Sequence, residues 1–410
     1  MGSNQYGRVI ALGVALGIST VSISGCGQLS ASTSDDRRDV VVPAVGTSEY
    51  PSLPSAKPTG PSANAPADAA AGADVLTQPP RTLTITGSGD ILIHPSLANQ
   101  ADSNGGAATP DFAPMLADLK PLISKADYSI CHNETPFSPP GFHQPFPHYY
   151  VHPTLAEGVK ATGFDECSIA SNWTVDKGLD GIRRTIKALN DVGVNHAGAG
   201  ANAAAERIVV RDVNGIKFAH LSYTDPGDSP GIAGSPWAVN RQTPSEIAAD
   251  ARLARERGAE IVVVSLSMGE MGSVERSSSQ VAAAKTITAG GDIDYVIGHG
   301  SHTVQPAQKF NDTWVVWHGN LMASFFPDQT RMLTGLVSGV TLTETSDGRF
   351  DVTSLRGYPI ASATGGSIRS VDIVGTGCAR SQMYAAQWQM IVETESKAIA
   401  QGMRFPRPCK

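Results

Sequence analysis

No cluster of lysine and arginine occurs anywhere in the 410 residues, and 31 basic against 38 acidic side chains leave a formal net charge of −7. A nucleic acid is held by a concentrated basic face, so that class of partner is excluded. Five cysteines over this length are too few for a disulfide scaffold. No internal repeat stands out, and past the first apolar run no stretch approaches the roughly 18 apolar residues of a membrane-spanning helix. What the chain does have is a hydrophobic content of 41%, enough for a sizeable core.

The N-terminus carries the clearest local signal. Arg8 precedes an apolar run from Val9 to Ile18, and Ile23-Ser24-Gly25-Cys26 follows. A charged start, a short apolar core and small residues at the cut describe a secretory signal over 1–25, with a core too short to span a bilayer. A cysteine directly after Ser-Gly resembles the bacterial lipobox, in which the thiol is diacylated. Cys26 is thus the expected lipid attachment point, placing the protein on the extracytoplasmic face of a membrane. Residues 26–81 are mostly Ser, Ala, Pro, Gly, Thr and Asp. Such a segment cannot bury enough apolar surface to offset its ordering entropy, and it reads as a flexible tether.

From Thr82 onward strands and helices alternate. Thr82–Thr86, 126–131, 167–170, 216–223, 261–264, 295–297 and 313–317 read as strands, and 179–192, 244–258 and 280–289 as helices. The Thr/Val/Leu alternation over 335–375 predicts paired strands. One α/β domain over 82–377 is expected, with a tail over 378–410. Cys378 and Cys409 bracket that tail and are placed to staple it. Cys131 and Cys167 lie in apolar runs and read as buried free thiols.

The polar residues that bear chemistry fall just after these strands: Asp90, Glu134, Asn172, His299 and His302. Ligands of open α/β sheets gather at the carboxyl ends of strands, so these groups are expected to converge. Asp, Glu, Asn and two His suit one or two divalent ions such as Mn, Fe or Zn. Each alone has a plainer reading, as a turn residue, a helix cap or a solvated charge.

Taken together the motifs resemble the CapA family of bacterial capsule and poly-γ-glutamate synthesis proteins, whose domain is similar to calcineurin-like metallophosphatases. The resemblance is collinear from about Thr82 to Thr376. Gly89-Asp90-Ile91-Leu92-Ile93-His94 matches its Gly-Asp motif, and Cys131-His132-Asn133-Glu134-Thr135-Pro136 its Glu-x-Pro segment. Ala170-Ser171-Asn172-Trp173 opens its Asn-His motif. Gly298-His299-Gly300-Ser301-His302 matches its Gly-His motif, and Gly319-Asn320 its closing Gly-Asn. The resemblance implies a layered sandwich with helices outside a central β-sheet core. It also implies metal held by Asp90, Glu134, Asn172, His299 and His302, and an anionic envelope polymer as partner.

Two departures bear on activity. Trp173 stands where the family has a histidine that resembles a general acid, and Ser267 where it has a metal-ligating histidine. Neither Trp nor Ser replaces those roles. Glu270 lies one residue from the family's glutamate. The sequence therefore predicts a partly degenerate site holding at most one ion, or none, with His94 and His132 left as acid/base candidates. The competing expectation is an active metal-dependent hydrolase or transferase.

Overall fold

The computed structural model describes residues 79–139, 150–227, 229–323, 330–363, 369–373 and 384–407. The expected signal, Cys26, nearly all of the tether, Cys378 and Cys409 lie outside them. The strands are β1 (Thr82–Ile91), β2 (Tyr128–Asn133), β3 (Glu166–Ser168), β4 (Asn195–Ala197), β5 (Val210–Val213), β6 (Ile216–Thr224) and β7 (Ile261–Ser267). They continue with β8 (Tyr295–His299), β9 (Val304–Phe310), β10 (Thr313–His318), β11 (Asn320–Met322), β12 (Thr334–Glu344), β13 (Phe350–Ala363) and β14 (Arg369–Asp372).

These strands form two sheets. The first runs β14-β13-β12-β1-β2-β3-β4, with β11 also paired to β1; the second runs β5-β6-β7-β8-β10-β9. Strands β1 to β4 are parallel, as are β6, β7, β8 and β10, while β12 to β14 join antiparallel. One apolar core contains Leu83 and Ile85 of β1 together with Val263 of β7 and Ile297 of β8, and so lies between the sheets. Separate cores pack helices on the two outer faces. Ile182, Ile186 and Leu189 of helix Gly178–Asp191 belong to the first sheet's outer core, and Ile247 and Ala284 to the second's. The result is a four-layer α/β sandwich, helix–sheet–sheet–helix.

Local chemistry explains the element ends. Helix Pro244–Glu256 begins with Pro244 at its first turn and a Thr243/Glu246 capping box; helix Ser278–Thr288 begins with a Ser277/Gln280 box. The pattern of β1 extends further than its first five alternating residues. It continues to Ile91, so Asp90 lies within the strand and not beyond it. There the strand is flanked at one level by His132 of β2 and Asn320 of β11. Gly89 permits that approach, since a Cβ there would run into the Gly319 carbonyl.

The cysteine reading requires a correction. Cys131 and Cys167 are fully buried, as expected, but they are joined in a disulfide. The reason is register: in the parallel β2–β3 pair they stand directly opposite, with Cα atoms 4.5 Å apart. Residues 384–407, past the expected domain end at 377, pack on the domain: Ile391, Ala398 and Met403 join the inter-sheet core. Among the described residues no helix is long and apolar enough to cross a membrane.

Candidate metal centre

The carboxyl ends of β1, β2 and β8 bring five buried groups together across the seam between the sheets. Asp90 is completely buried, and His132, Glu134, His299 and His302 are each no more than 5% exposed. Asp90 Oδ1 lies 3.1 Å from His299 Nδ1, and Oδ2 lies 3.2 Å from His302 Nδ1. The Gly300 N–H also donates to Oδ2 at 3.3 Å. His302 Nε2 lies 3.6 Å from Glu134 Oε1. The imidazoles of His132 and His299 stack with centroids 4.0 Å apart.

Second contacts fix these rings. Asn320 Oδ1 is 3.0 Å from His302 Nδ1, while its Nδ2 donates to the His302 and Met332 carbonyls at 3.1 and 2.8 Å. His302 itself has φ +58°, a left-handed conformation that is costly for a non-glycine residue and sits here at the site. That backbone turn sets its ring between the two carboxylates.

The electrostatics follow from burial and close charges. Burial works to raise the Asp90 carboxyl, but hydrogen bonds from His299 and His302 overcome it and hold Asp90 below the usual carboxylate range. Burial works to lower His302, yet the charges and hydrogen bonds of Glu134 and Asp90 push it up to about 9. Glu134 is raised to about 7, first by burial and against the charge of His302. The positive charge favoured on His302 offsets part of the cost of burying two carboxyl groups beside it. His132 is held well below its ordinary value by burial and then by His299.

The donor set fits divalent metal. Asp90, His132 and His299 form one compact group, and Asp90, Glu134 and His302 a second; within each, the ligand atoms lie within 4.8 Å of one another. His132 Nε2 and His299 Nε2 are buried without hydrogen-bond partners. Buried polar atoms rarely stay unpaired, and imidazole nitrogens with carboxylate oxygens suit Mn, Fe or Zn. The two groups share one carboxylate, Asp90.

Of the residues expected from sequence, Asp90, Glu134, His299 and His302 converge, and His132 joins them within a donor group. His94 is buried behind them; burial and the nearby charge on His302 lower it to about 4. Asn172 is half-buried in the turn after β3. Ser171 Oγ donates to the Glu134 carbonyl at 3.2 Å, and the Trp173 side chain hydrogen-bonds Glu134. Ser267 ends β7 directly beside His299, and Glu270 is exposed. Sequence reasoning did not assign Asn320 a role; its motif was visible, but its contact with His302 depends on β11 pairing beside β1.

Comparison with known proteins places these residues in context. The model of the family described as bacterial capsule synthesis protein PGA_cap matches residues 84–323. The chain is 30% identical over 199 residues to the capsule biosynthesis protein CapA of Bacillus anthracis, covering 47% of this chain and 44% of that one. It is 26% identical over 207 residues to the PGA biosynthesis protein CapA of Bacillus subtilis, covering 48% and 52%. The matches thus span about half the length of these relatives. Among solved structures, a calcineurin-like phosphoesterase of B. subtilis, YfkN, is similar at TM-score 0.46 and 17% identity, covering 77% of this chain and 99% of that one.

Proposed function

Because the chain belongs to the bacterial capsule synthesis protein PGA_cap family, we propose that it is a lipid-anchored, extracytoplasmic protein that handles an anionic envelope polymer of the capsule or poly-γ-glutamate type during synthesis or attachment. The observation that carries the chemistry is the sharing of Asp90 between two buried donor groups. Asp90, His132 and His299 would hold one divalent ion, and Asp90, Glu134 and His302 another. Such ions supply Lewis acidity toward a phosphoryl or acyl oxygen and attract a polyanion.

The chain's own residues set the limits. Ion uptake at the Glu134 group must displace the proton of His302, so binding strengthens as pH rises toward 9. Trp173 hydrogen-bonds Glu134 and so orients it, but an indole N–H does not transfer a proton at neutral pH. His94, lowered to about 4, is neutral at that pH and so is neither a strong base nor an imidazolium acid. These features favour binding and positioning of polymer over fast hydrolysis. The second reading, an active hydrolase, is favoured by the number of surviving donors.

Metal content of the purified protein by elemental analysis, with hydrolysis of model phosphodiesters and poly-γ-glutamate, tests both. One to two ions per chain, lost in His302→Ala, with little turnover, is the expected result. Brisk turnover abolished in His302→Ala would establish the hydrolase instead, and a chain that takes up no Mn, Fe or Zn would end the metal reading.

A further inference from the structure

The parallel strands β2 and β3 run in register, so the pair after Cys131 and Cys167 is His132 beside Ser168. Ser168 Oγ donates to the Cys131 carbonyl at 3.2 Å and lies 2.7 Å from His132 Nδ1. A carbonyl can only accept; with the hydroxyl proton given to it, the Ser168 lone pair receives the Nδ1–H of His132. The proton of His132 is thereby fixed on Nδ1. Its Nε2, buried and without a hydrogen-bond partner, keeps the lone pair a metal needs.

Strand β3 is three residues long, and its register against β2 decides whether Ser168 meets His132 at all. Slipping by one residue would turn the hydroxyl to the opposite face. The fully buried Cys131–Cys167 bond, one residue away, forbids that slip. We propose that Ser168 and the Cys131–Cys167 disulfide are positioning elements for one ion only, that of the Asp90/His132/His299 group. The Asp90/Glu134/His302 group contains no residue of this device. The inference rests on the reading that both groups hold divalent ions.

Calorimetric titration of the full chain with Mn²⁺ tests it, with thermal melts to verify folding. Ser168→Ala should weaken one binding step by roughly 10–100-fold, the usual effect of losing such an outer partner, and leave the other unchanged. Ser168→Thr, which keeps a hydroxyl, should restore the wild-type isotherm. Cys131→Ala with Cys167→Ala should show the same one-sided loss. Should that pair not fold, wild type reduced and then freed of reductant replaces it. Equal weakening of both steps, no weakening, or a single ion indifferent to Ser168→Ala would overturn the proposal. A wild type that binds no Mn²⁺ would instead overturn the metal reading beneath it.

Discussion

Single side chains decide what the centre can do. Trp173 hydrogen-bonds Glu134, and Ser267 stands beside His299; the family resemblance implies a proton-donating histidine at the first position and a metal-ligating one at the second. Ser267→His should therefore raise metal occupancy, read by elemental analysis, while Trp173→His should raise turnover on a model phosphodiester more than occupancy. The reverse pattern would show that the two positions have been given each other's roles. At this scale much of the centre was legible in sequence, because Asp90, Glu134, His299 and His302 all sit at ends of apolar strand runs. His132 was legible as an acid/base candidate and not as a member of the donor group, since nothing in Cys131-His132-Asn133 tells which face of β2 each residue takes.

Between elements, the packing of the C-terminal helices on the second sheet rests on an awkward group. Glu395, between helices Ala385–Thr394 and Ser396–Ala400, is fully buried and accepts the Ala307 N–H of β9 at 2.8 Å. Burial pushes its carboxyl up to about 8, against an ordinary 4.5 in the unfolded chain. Below about pH 4.5 both states are protonated and the contact is at full strength. Between there and pH 8 the unfolded chain releases a proton that the folded chain keeps, so stability falls as pH rises. Glu395→Gln, which retains the acceptor, should flatten the fall in melting temperature across that window. An unchanged slope would place its cause elsewhere. The long helices and the apolar run Ile261-Val262-Val263-Val264 could be read from period, caps and continuity, whereas β4, β5 and β9 could not: three- and four-residue strands and polar edges carry little periodic signal. Nor does a succession of parallel strands disclose where one sheet ends and a second begins. The disulfide was hidden for the same reason, since it depends on which strands become neighbours.

For the whole molecule, the boundary near Thr82 yields a direct experiment. Limited proteolysis should cut within 27–80 and leave a resistant core beginning near Thr82, and Cys26→Ala should release the protein from the membrane fraction or leave it unprocessed. A core starting near residue 45, or a cleaved Cys26→Ala chain still bound at wild-type levels, would contradict these readings. The seam between the sheets has a consequence of a different kind. Asp90, His132 and Glu134 belong to strands and strand ends of one layer, and His299 and His302 to the other. Any cation seated there is a further cross-link between two layers already joined by apolar packing and by polar contacts such as Tyr295 Oη to Ser338 Oγ at 2.7 Å. By mass action each such ion at a hundred times its dissociation constant adds about 2.7 kcal/mol to the folded state. The cohesion of the sandwich would then vary with the supply of divalent metal, and a chelator would loosen the two layers from one another at the carboxyl ends of the central strands.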